Sequence, residues 1–403
     1  MTKINKDLVK GSFILIIFFG LFNLLNFLFQ FTMARKLSVD DYGILAALTS
    51  LVYIFVIFAE TTQTAISDYV SKEKDKGKVK DIILRWFSKG TKFALVVFVF
   101  YSIIAILFSI YAKIDYPLLL LNGLFIFSVF VIGITRGALQ GEKKFFSLGV
   151  NMVAEATIKL SFAIFFVLLG FKVYGAVLGV LLGAFSGFLL SFIPLKDVFN
   201  SERKKEYAAN HKNYLKPAFL ITSIVFLMYT LDVLIAKIFL DEFSAGAYAI
   251  AATIAKTIFF GTLPVSKAMF PLSSSEESKK ESNKILFSSI GVILVLVLIA
   301  LSFFYLIPDF IIKIFSGKII SESVSVLFYL GIGIGLVSLS NLILLYKLSR
   351  GITKGYGLLA IFPLIEIILL IVFSGGIVTF ARTFAIVNGL FFIGSVFLPY
   401  RKV

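Results

Sequence analysis

The sequence predicts an all-α polytopic membrane protein whose twelve transmembrane helices form two six-helix lobes related by a pseudo-two-fold axis. Three observations support this fold class. Of the 403 residues, 59% are hydrophobic and only 15% are charged, whereas soluble domains are about 25% charged. Twelve apolar stretches are long enough to cross a bilayer, which takes about 20 residues. Finally, the two sets of six stretches share short sequence motifs.

The predicted spans follow one another along the chain with short connections. They are 11–33, 43–66, 91–111, 117–135, 150–170, 173–193, 217–240, 246–270, 285–306, 324–346, 355–374 and 379–398. The first stretch is too long for a signal-peptide core and lacks a small-residue cleavage site, so we expect it to remain as a span. The segment 308–315 is too short to cross and is predicted to be an interfacial turn.

The distribution of lysine and arginine predicts the orientation of these spans. Alternate loops carry 27 of these residues, and the intervening loops carry only six. Because cytoplasmic loops are enriched in positive charge, both termini are expected in the cytoplasm and the protein in the cell (cytoplasmic) membrane. The same bias accounts for most of the +16 net charge. We therefore expect no nucleic-acid partner.

The longest polar loop, KDVFNSERKKEYAANHKNYLK from Lys196, divides the twelve spans into two sets of six. The predicted domains are an N-terminal lobe at 1–194, a cytoplasmic linker at 195–213 and a C-terminal lobe at 214–403. The linker could hold an amphipathic helix at the membrane surface. Its basic run is otherwise expected to be a solvated loop that sets the topology.

Two sequence motifs recur about one lobe apart. ARKLSVDDYG from Ala34 matches AKIFLDEFSAG from Ala236, an offset of 202 residues. ALQGEKKFFSLG from Ala138 matches KLSRGITKGYG from Lys347, an offset of 209 residues. Six spans separate the copies, so both have the same orientation. This predicts a parallel repeat, as in transporters that bind their substrate where the repeats meet.

Polar side chains inside the spans indicate an aqueous interior. In the fifth span Asn151, Glu155 and Lys159 are spaced four residues apart, so they share one helix face. Ionisable groups in a bilayer need a partner or a water-filled cavity. Midplane lysines in both lobes would make a cationic cavity for phosphate or diphosphate. The candidate substrate-binding residues are Lys159, Lys256, Glu155, Asn26, Gln30 and Asn151.

Acidic residues inside the spans are candidates for binding a coupling ion. Glu60 lies in the second span, Asp232 in the seventh and Glu366 in the eleventh. A simpler interpretation of all these charges is that they form buried ion pairs which fix helix packing. In that case Glu155 and Lys159, four residues apart, would pair with each other.

Composition excludes several kinds of chemistry. The chain has no cysteine and a single histidine, His211, so we expect no thiolate catalysis, no metal site and no Ser/His/Asp arrangement within it. A GxxxxGK[ST] phosphate-binding loop is also absent from the sequence. We therefore predict that the protein is not an enzyme and requires no cofactor.

The stretch RGALQGEKKFFSLGVNMVAEATIKL from Arg136, which leads into the Gly-rich sixth span, resembles the polysaccharide exporters of the multidrug/oligosaccharidyl-lipid/polysaccharide (MOP) flippase superfamily. The ARKLSVDDYG and LDEFSAGAYAIA stretches resemble turns of the same family. The resemblance implies two six-helix lobes in a V-shaped transporter. It also implies a flippase that carries polyprenyl-(di)phosphate-linked oligosaccharide by alternating access, for cell-surface polysaccharide or glycan assembly.

Two other functions stay open at this point. A cation-coupled multidrug exporter of the same superfamily would use Glu60, Asp232 or Glu366, although midplane lysines would repel a cationic drug. A membrane glycosyltransferase or polymerase would need larger outer loops than 307–323 provides. For the flippase the expected partners are a lipid-linked oligosaccharide, membrane lipids and a coupling ion, Na⁺ or H⁺, with the protein acting as a monomer.

Overall fold

The computed structural model describes residues 6–205, 215–276, 278–397 and 401–402, and these residues are almost entirely helical. Helices suit long apolar runs because the bilayer offers backbone groups no hydrogen-bond partner outside the helix. The first half contains α1 (Lys6–Lys36), α2 (Val39–Lys72), α3 (Lys76–Ala112), α4 (Tyr116–Gly123), α5 (Phe125–Gly141), α6 (Phe145–Phe166), α7 (Lys172–Leu190) and α8 (Lys196–Phe199). A π-helical turn, Val167–Phe171, precedes α7, and a 3₁₀ turn, Ile193–Leu195, precedes α8.

The second half has the same predominance of helix. It contains α9 (Leu215–Phe239), α10 (Glu242–Ser275), α11 (Lys279–Leu306), α12 (Pro308–Ser316), α13 (Ser321–Ser349), α14 (Ile361–Val372) and α15 (Ile377–Phe397). A short strand, β1 (Ile352–Lys354), pairs antiparallel with β2 (Arg401–Lys402). A 3₁₀ turn, Tyr356–Ala360, leads into α14.

Each predicted span coincides with a helix or with two consecutive helices. The fourth is divided into α4 and α5, a break that the sequence analysis missed. Within the described residues, ten helical stretches meet the length and hydropathy expected of a membrane span, and Tyr356–Val372 is a shorter apolar one. The predicted interfacial turn is the helix α12, which buries Ile312 and Phe315 and exposes Phe310 and Ile314.

The turn between α6 and α7 depends on a glycine. Gly170 has φ of 91° and ψ of 4°, a region of backbone space that residues with a Cβ rarely adopt. The chain reverses there, so a helical stretch of 55 residues, Phe145–Phe199, contains two of the predicted spans. α6 and α7 consequently pack side by side.

The chain divides into two compact units. Unit 1 comprises residues 1–36 and 55–211, and unit 2 comprises residues 37–54 and 212–403. In unit 1 a core of small aliphatic side chains joins the ends of α2, α3, α5 and α6. Its buried members include Ile66, Ile83, Leu139 and Leu148. The predicted lobe boundaries at 1–194 and 214–403 stay a prediction.

Unit 2 contains the N-terminal ends of α2 and α10, which lie within the two copies of the first repeated motif. α2 and α10 have the same length, 34 residues. Each begins with the same cap, because the backbone N–H of Asp41 donates to Ser38 Oγ at 3.1 Å and that of Ser244 donates to Asp241 Oδ1 at 3.0 Å.

The repeated glycines of these two helices lie in contact. A Cβ added to Gly43 would come within 2.9 Å of Gly246 Cα. One added to Gly246 would come within 2.1 Å of the carbonyl oxygen of Val39. Both positions therefore require glycine, because only the missing Cβ lets the two backbones approach so closely.

The described start of the predicted linker is fixed against α3. Lys204 Nζ lies 2.7 Å from Asp75 Oδ2, and the Lys204 backbone N–H donates to the carbonyl of Gly77 at 3.1 Å. The hydrogen bond from Lys204 lowers the pKa of Asp75 below its usual 3.8, and the same bond raises the pKa of Lys204 above its usual 10.5. The rest of the linker, and with it His211 and any amphipathic helix, lies outside the described residues.

Candidate functional site

Unit 1 contains a buried polar cluster, formed by α5, α6 and α7. The Arg136 guanidinium donates to Asn151 Oδ1 at 2.9 Å through Nε and to Glu155 Oε2 through Nη2. Asn151 Nδ2 in turn donates to the carbonyl of Gly187 at 2.6 Å. Arg136 is 8% exposed and Asn151 is 4% exposed, so these contacts replace water for both groups.

Lys159 lies one helical turn beyond Glu155 on α6, but its contacts are different. Its ammonium donates to Asn26 Oδ1 on α1 and lies 4.9 Å from the centroid of the Phe29 ring. The Asn26 amide nitrogen donates to the carbonyl of Phe22 at 2.9 Å, which turns its oxygen toward Lys159. Among the described residues no carboxylate is within ion-pair distance of Lys159. Its hydrogen bond is therefore made to a neutral group, although Glu155 is close enough to interact with it electrostatically.

A glycine stripe on α7 determines how closely this cluster packs. A Cβ at Gly183 would lie 2.6 Å from Lys159 Cβ and 2.9 Å from the carbonyl oxygen of Glu155. A Cβ at Gly187 would lie 3.0 Å from Glu155 Oε2. Small residues permit such close helix contact in a membrane. The stripe thus fixes the position of the α6 backbone that carries Glu155 and Lys159.

Two other predicted residues, Gln30 and Glu60, also belong to unit 1. Gln30 is partly buried on α1, one turn beyond Asn26. Glu60 is exposed on α2. Thus Asn26 of α1 and Asn151, Glu155 and Lys159 of α6 are brought together, with Arg136 of α5 as a further partner, whereas Glu60 is not part of that group.

Unit 2 contains a second buried cluster, formed by α9 and α10. Lys256 Nζ lies 2.9 Å from Asp232 Oδ1, and the Tyr248 hydroxyl donates to Asp232 Oδ2 at 3.1 Å. The ammonium also lies 4.9 Å from the centroid of the Tyr229 ring. Asp232 is 0% and Lys256 8% exposed. The charge of Lys256 is therefore already paired with a carboxylate.

Glu366 on α14 adds a second acid near this pair. It is 0% exposed, and neither of its carboxyl oxygens has a hydrogen-bond partner among the described residues. It is close enough to interact electrostatically with Asp232, Lys256 and Tyr248. This cluster thus combines two acids with one ammonium, whereas the cluster of unit 1 combines two cations with one acid.

Two expectations are corrected by these contacts. Glu155 and Lys159 do not pair with each other, because Arg136 reaches the carboxylate from α5. Arg136 falls just outside the predicted span 117–135, whereas it lies inside α5 and is buried. A signal was present in the sequence, since RGALQG directly continues an apolar run and allows the helix to extend. Arg136 with Glu155 and Lys256 with Asp232 form ion pairs between helices, as the simpler interpretation expected, whereas Lys159 and Glu366 form no ion pair among the described residues.

Comparison with known proteins supplies the family. The model of a family described as polysaccharide biosynthesis protein matches residues 8–277 of the chain. The chain belongs to this family. An uncharacterized membrane protein of Methanocaldococcus jannaschii is 25% identical over 264 residues, which are 61% of this chain and 62% of that relative. The match therefore spans less than two thirds of the relative's length.

Solved structures with a similar fold are membrane transporters. A lipid II flippase MurJ in an inward closed conformation superposes with a TM-score of 0.72 at 16% identity, over 95% of this chain and 86% of that one. An outward-facing multidrug resistance MATE family transporter of the MOP superfamily gives a TM-score of 0.66 at 14% identity, over 96% and 93% of the two chains.

These matches settle the fold class. The predicted all-α membrane fold, which this chain shares with the flippase and the MATE transporter, and the predicted resemblance to a polysaccharide family are both confirmed. The protein is a multi-pass membrane protein with the fold of flippases and multidrug transporters.

Proposed function

We propose that the protein is a flippase that carries a polyprenyl-(di)phosphate-linked oligosaccharide across the cytoplasmic membrane by alternating access. Membership of a polysaccharide biosynthesis family supports a substrate of this class. The observation that carries the proposal is Lys159, an ammonium on a membrane-length helix that contacts a carboxamide and an aromatic ring and forms no ion pair among the described residues. Lysine is a good point-charge partner for phosphate. We assign the phosphate contact to Lys159.

The polar groups beside Lys159 complete the proposed contact. Asn26 provides an acceptor that an incoming phosphate would displace, and Phe29 provides an apolar wall. Lys256 was predicted as a second phosphate contact. Because Asp232 already neutralises it, we expect its contribution to be smaller. That the two lysines line one cavity stays a prediction.

The test measures leaflet translocation of a fluorescent polyprenyl-diphosphate oligosaccharide in proteoliposomes. Lys159→Gln removes the charge and keeps the length of the side chain, and Lys159→Arg keeps the charge. We expect translocation to fall at least about tenfold in the first variant, which corresponds to one charged hydrogen bond, and less in the second. A folded Lys159→Gln variant that flips as fast as the parent would contradict the assignment.

The coupling ion is proposed to act in unit 2. An ionised carboxylate with no partner is costly in this environment, so a bound H⁺ or Na⁺ would have to offset the charge of Glu366. Asp232 lies near it but is engaged by Lys256 and Tyr248. We therefore assign the ion to Glu366 with Asp232 as its neighbour. Translocation should accelerate under one imposed gradient, of H⁺ or of Na⁺, and not under the other.

The surplus of acid in unit 2 also favours one competing function, cation-coupled multidrug export. A buried carboxylate would attract an organic cation as well as a coupling ion. Uptake of a fluorescent organic cation under a H⁺ or Na⁺ gradient, without translocation of the lipid-linked sugar, would support that function in place of the flippase.

The proposed orientation, with both termini cytoplasmic, can be tested with single cysteines. The chain has none of its own, so one introduced thiol is unique. Ser201→Cys in the linker should react only with a reagent on the cytoplasmic side. Lys318→Cys, between α12 and α13, should react only from outside. The opposite pattern would reverse the topology.

A further inference from the structure

The charges of α6 have an arrangement that sequence spacing does not explain. Glu155 and Lys159 are four residues apart, the spacing at which a glutamate followed by a lysine forms an ion pair on a helix. Here the Glu155 carboxylate accepts a hydrogen bond from Arg136 instead. The lysine is left with the carboxamide of Asn26 and the ring of Phe29.

The Arg136 guanidinium, which donates to Glu155, is itself fixed by a second hydrogen bond. Its Nε donates to Asn151 Oδ1 at 2.9 Å, and Asn151 is anchored by donating to the carbonyl of Gly187 at 2.6 Å. Three helices thus fix the direction from which Arg136 reaches Glu155. A planar guanidinium with several donors suits this double contact, whereas an ammonium could not reproduce it.

We propose that Arg136 is a positioning residue, which holds Glu155 so that the ammonium of Lys159 stays available to the anionic headgroup of the substrate. This inference rests on the proposed function, because it concerns the group assigned to bind phosphate. The balance of charge among Arg136, Glu155 and Lys159 supports this role. Arg136 and Glu155 cancel each other, and Lys159 keeps one positive charge that no carboxylate neutralises. Without Arg136 the nearest cation to Glu155 along α6 is Lys159.

A purely structural role for Arg136 makes a different prediction. If the Arg136 guanidinium only joined α5 to α6, its replacement would lower the stability of the fold. Replacing Glu155 as well would then restore stability but not the affinity for the substrate. If Arg136 positions Glu155, its loss turns the carboxylate into a competitor of the substrate. The competitor can then be removed by a second substitution.

The functional experiment uses translocation of the polyprenyl-diphosphate probe by the full chain in proteoliposomes. Arg136→Gln should raise the apparent KM for the probe at least about tenfold, with a smaller change in maximal rate. Arg136→Gln/Glu155→Gln should restore most of the apparent affinity. Lys72→Gln, which removes a cation from an exposed ion pair with Asp68, is the control for charge loss and should behave like the parent. A double variant no better than Arg136→Gln would overturn the proposal.

A second measurement needs no substrate, so it separates this inference from the proposed function. The thermal midpoints of Glu155→Gln, Lys159→Gln and their combination form a double-mutant cycle. In the parent the coupling between the two losses should be small, because the groups interact electrostatically but form no ion pair. In the Arg136→Gln background the coupling should become larger, because the pair forms. The same coupling in both backgrounds would overturn the inference, whether or not the parent flips the probe. A parent that fails to flip would instead refute the proposed function.

Discussion

The polar cluster around Glu155 in unit 1 and the one around Asp232 in unit 2 contain charges in opposite proportions. Unit 1 places two cations, Arg136 and Lys159, beside one acid, Glu155. Unit 2 places two acids, Asp232 and Glu366, beside one cation, Lys256. Each cluster contains one ion pair with added hydrogen bonds, and each has one ionisable group left over. The group left over is a lysine in unit 1 and a glutamic acid in unit 2.

The difference between the clusters suggests separate roles for paired and unpaired charges, in helix packing and in ligand binding. A paired charge in a bilayer contributes mainly to packing, because its partner has already compensated it. The uncompensated group can still gain from a ligand of opposite charge. A surplus lysine suits an anionic headgroup, and a surplus acid suits a proton or a metal cation. The paired and surplus members of each cluster should therefore respond differently to substitution.

The largest effect on stability is expected from Lys256. Lys256→Met leaves Asp232 buried without its counter-charge, which should lower the free energy of unfolding by about 3–5 kcal/mol. Asp232→Asn in the same chain should recover part of this loss. Lys159→Met is the matched variant in unit 1 and should lose less, because no carboxylate is left behind. Denaturant unfolding in detergent measures all three, and equal losses at Lys159 and Lys256 would remove the distinction between paired and surplus groups.

A smaller loss is expected when the position of the surplus lysine is disturbed. Gly183→Ala would place a methyl group 2.6 Å from Lys159 Cβ, and such overpacking costs about 1–3 kcal/mol. The apparent KM for the lipid-linked probe should rise as α6 shifts. Gly20→Ala on α1, where a Cβ meets no atom within 4 Å, should be neutral or slightly stabilising. If both variants unfold at the same midpoint, the glycine stripe does not position Lys159.

Replacing the surplus acid should change stability less still. Glu366→Gln leaves the same number of unpartnered polar atoms, so we expect a change of about 1 kcal/mol or less. Acceleration of transport by an ion gradient should nevertheless disappear. Glu60→Gln, on the exposed face of α2 in unit 1, is the comparison. Loss of the gradient response in that variant instead would move the coupling ion to unit 1.

The exposed ion pair between Asp75 and Lys204 should show the smallest effect and provides a baseline for the buried pairs. The lowered pKa of Asp75 means that its contribution is complete above pH 3.8 and is lost only as the pH falls below it. The raised pKa of Lys204 keeps its contribution complete below pH 10.5. The protection of residues 201–204 against hydrogen exchange should therefore stay constant between pH 5 and 8, because both groups are charged throughout that range.

Salt should act on this pair where pH does not. Protection of residues 201–204 should decrease between low salt and 1 M, where charges are screened within about 3 Å. Asp75→Asn should abolish that salt response while keeping an acceptor for the Gly77 N–H at the start of α3. Protection that changes between pH 5 and 8 in the parent but not in Asp75→Asn would contradict the assigned pKa directions.

The sequence alone determined the spans, the fold class and the family. Runs of about 20 apolar residues fix where helices cross, because this requirement is local and any bilayer imposes it. It also found the repeat that starts α2 and α10, and the polar face of α6 that carries Asn151, Glu155 and Lys159. It missed the break at Leu124 and the burial of Arg136, since helix ends depend on packing as well as on composition.

Only the tertiary structure decided which charges pair. Asn26 and Lys159 are 133 residues apart, Asp232 and Lys256 are 24 apart, and Arg136 and Glu155 are 19 apart. Helical spacing favoured the local pair of Glu155 with Lys159, but the carboxylate instead accepts a hydrogen bond from the Arg136 guanidinium on a neighbouring helix. In a bilayer a charged side chain pairs with a group that helix packing brings close to it. Sequence spacing identifies only the possible partners on the same helix.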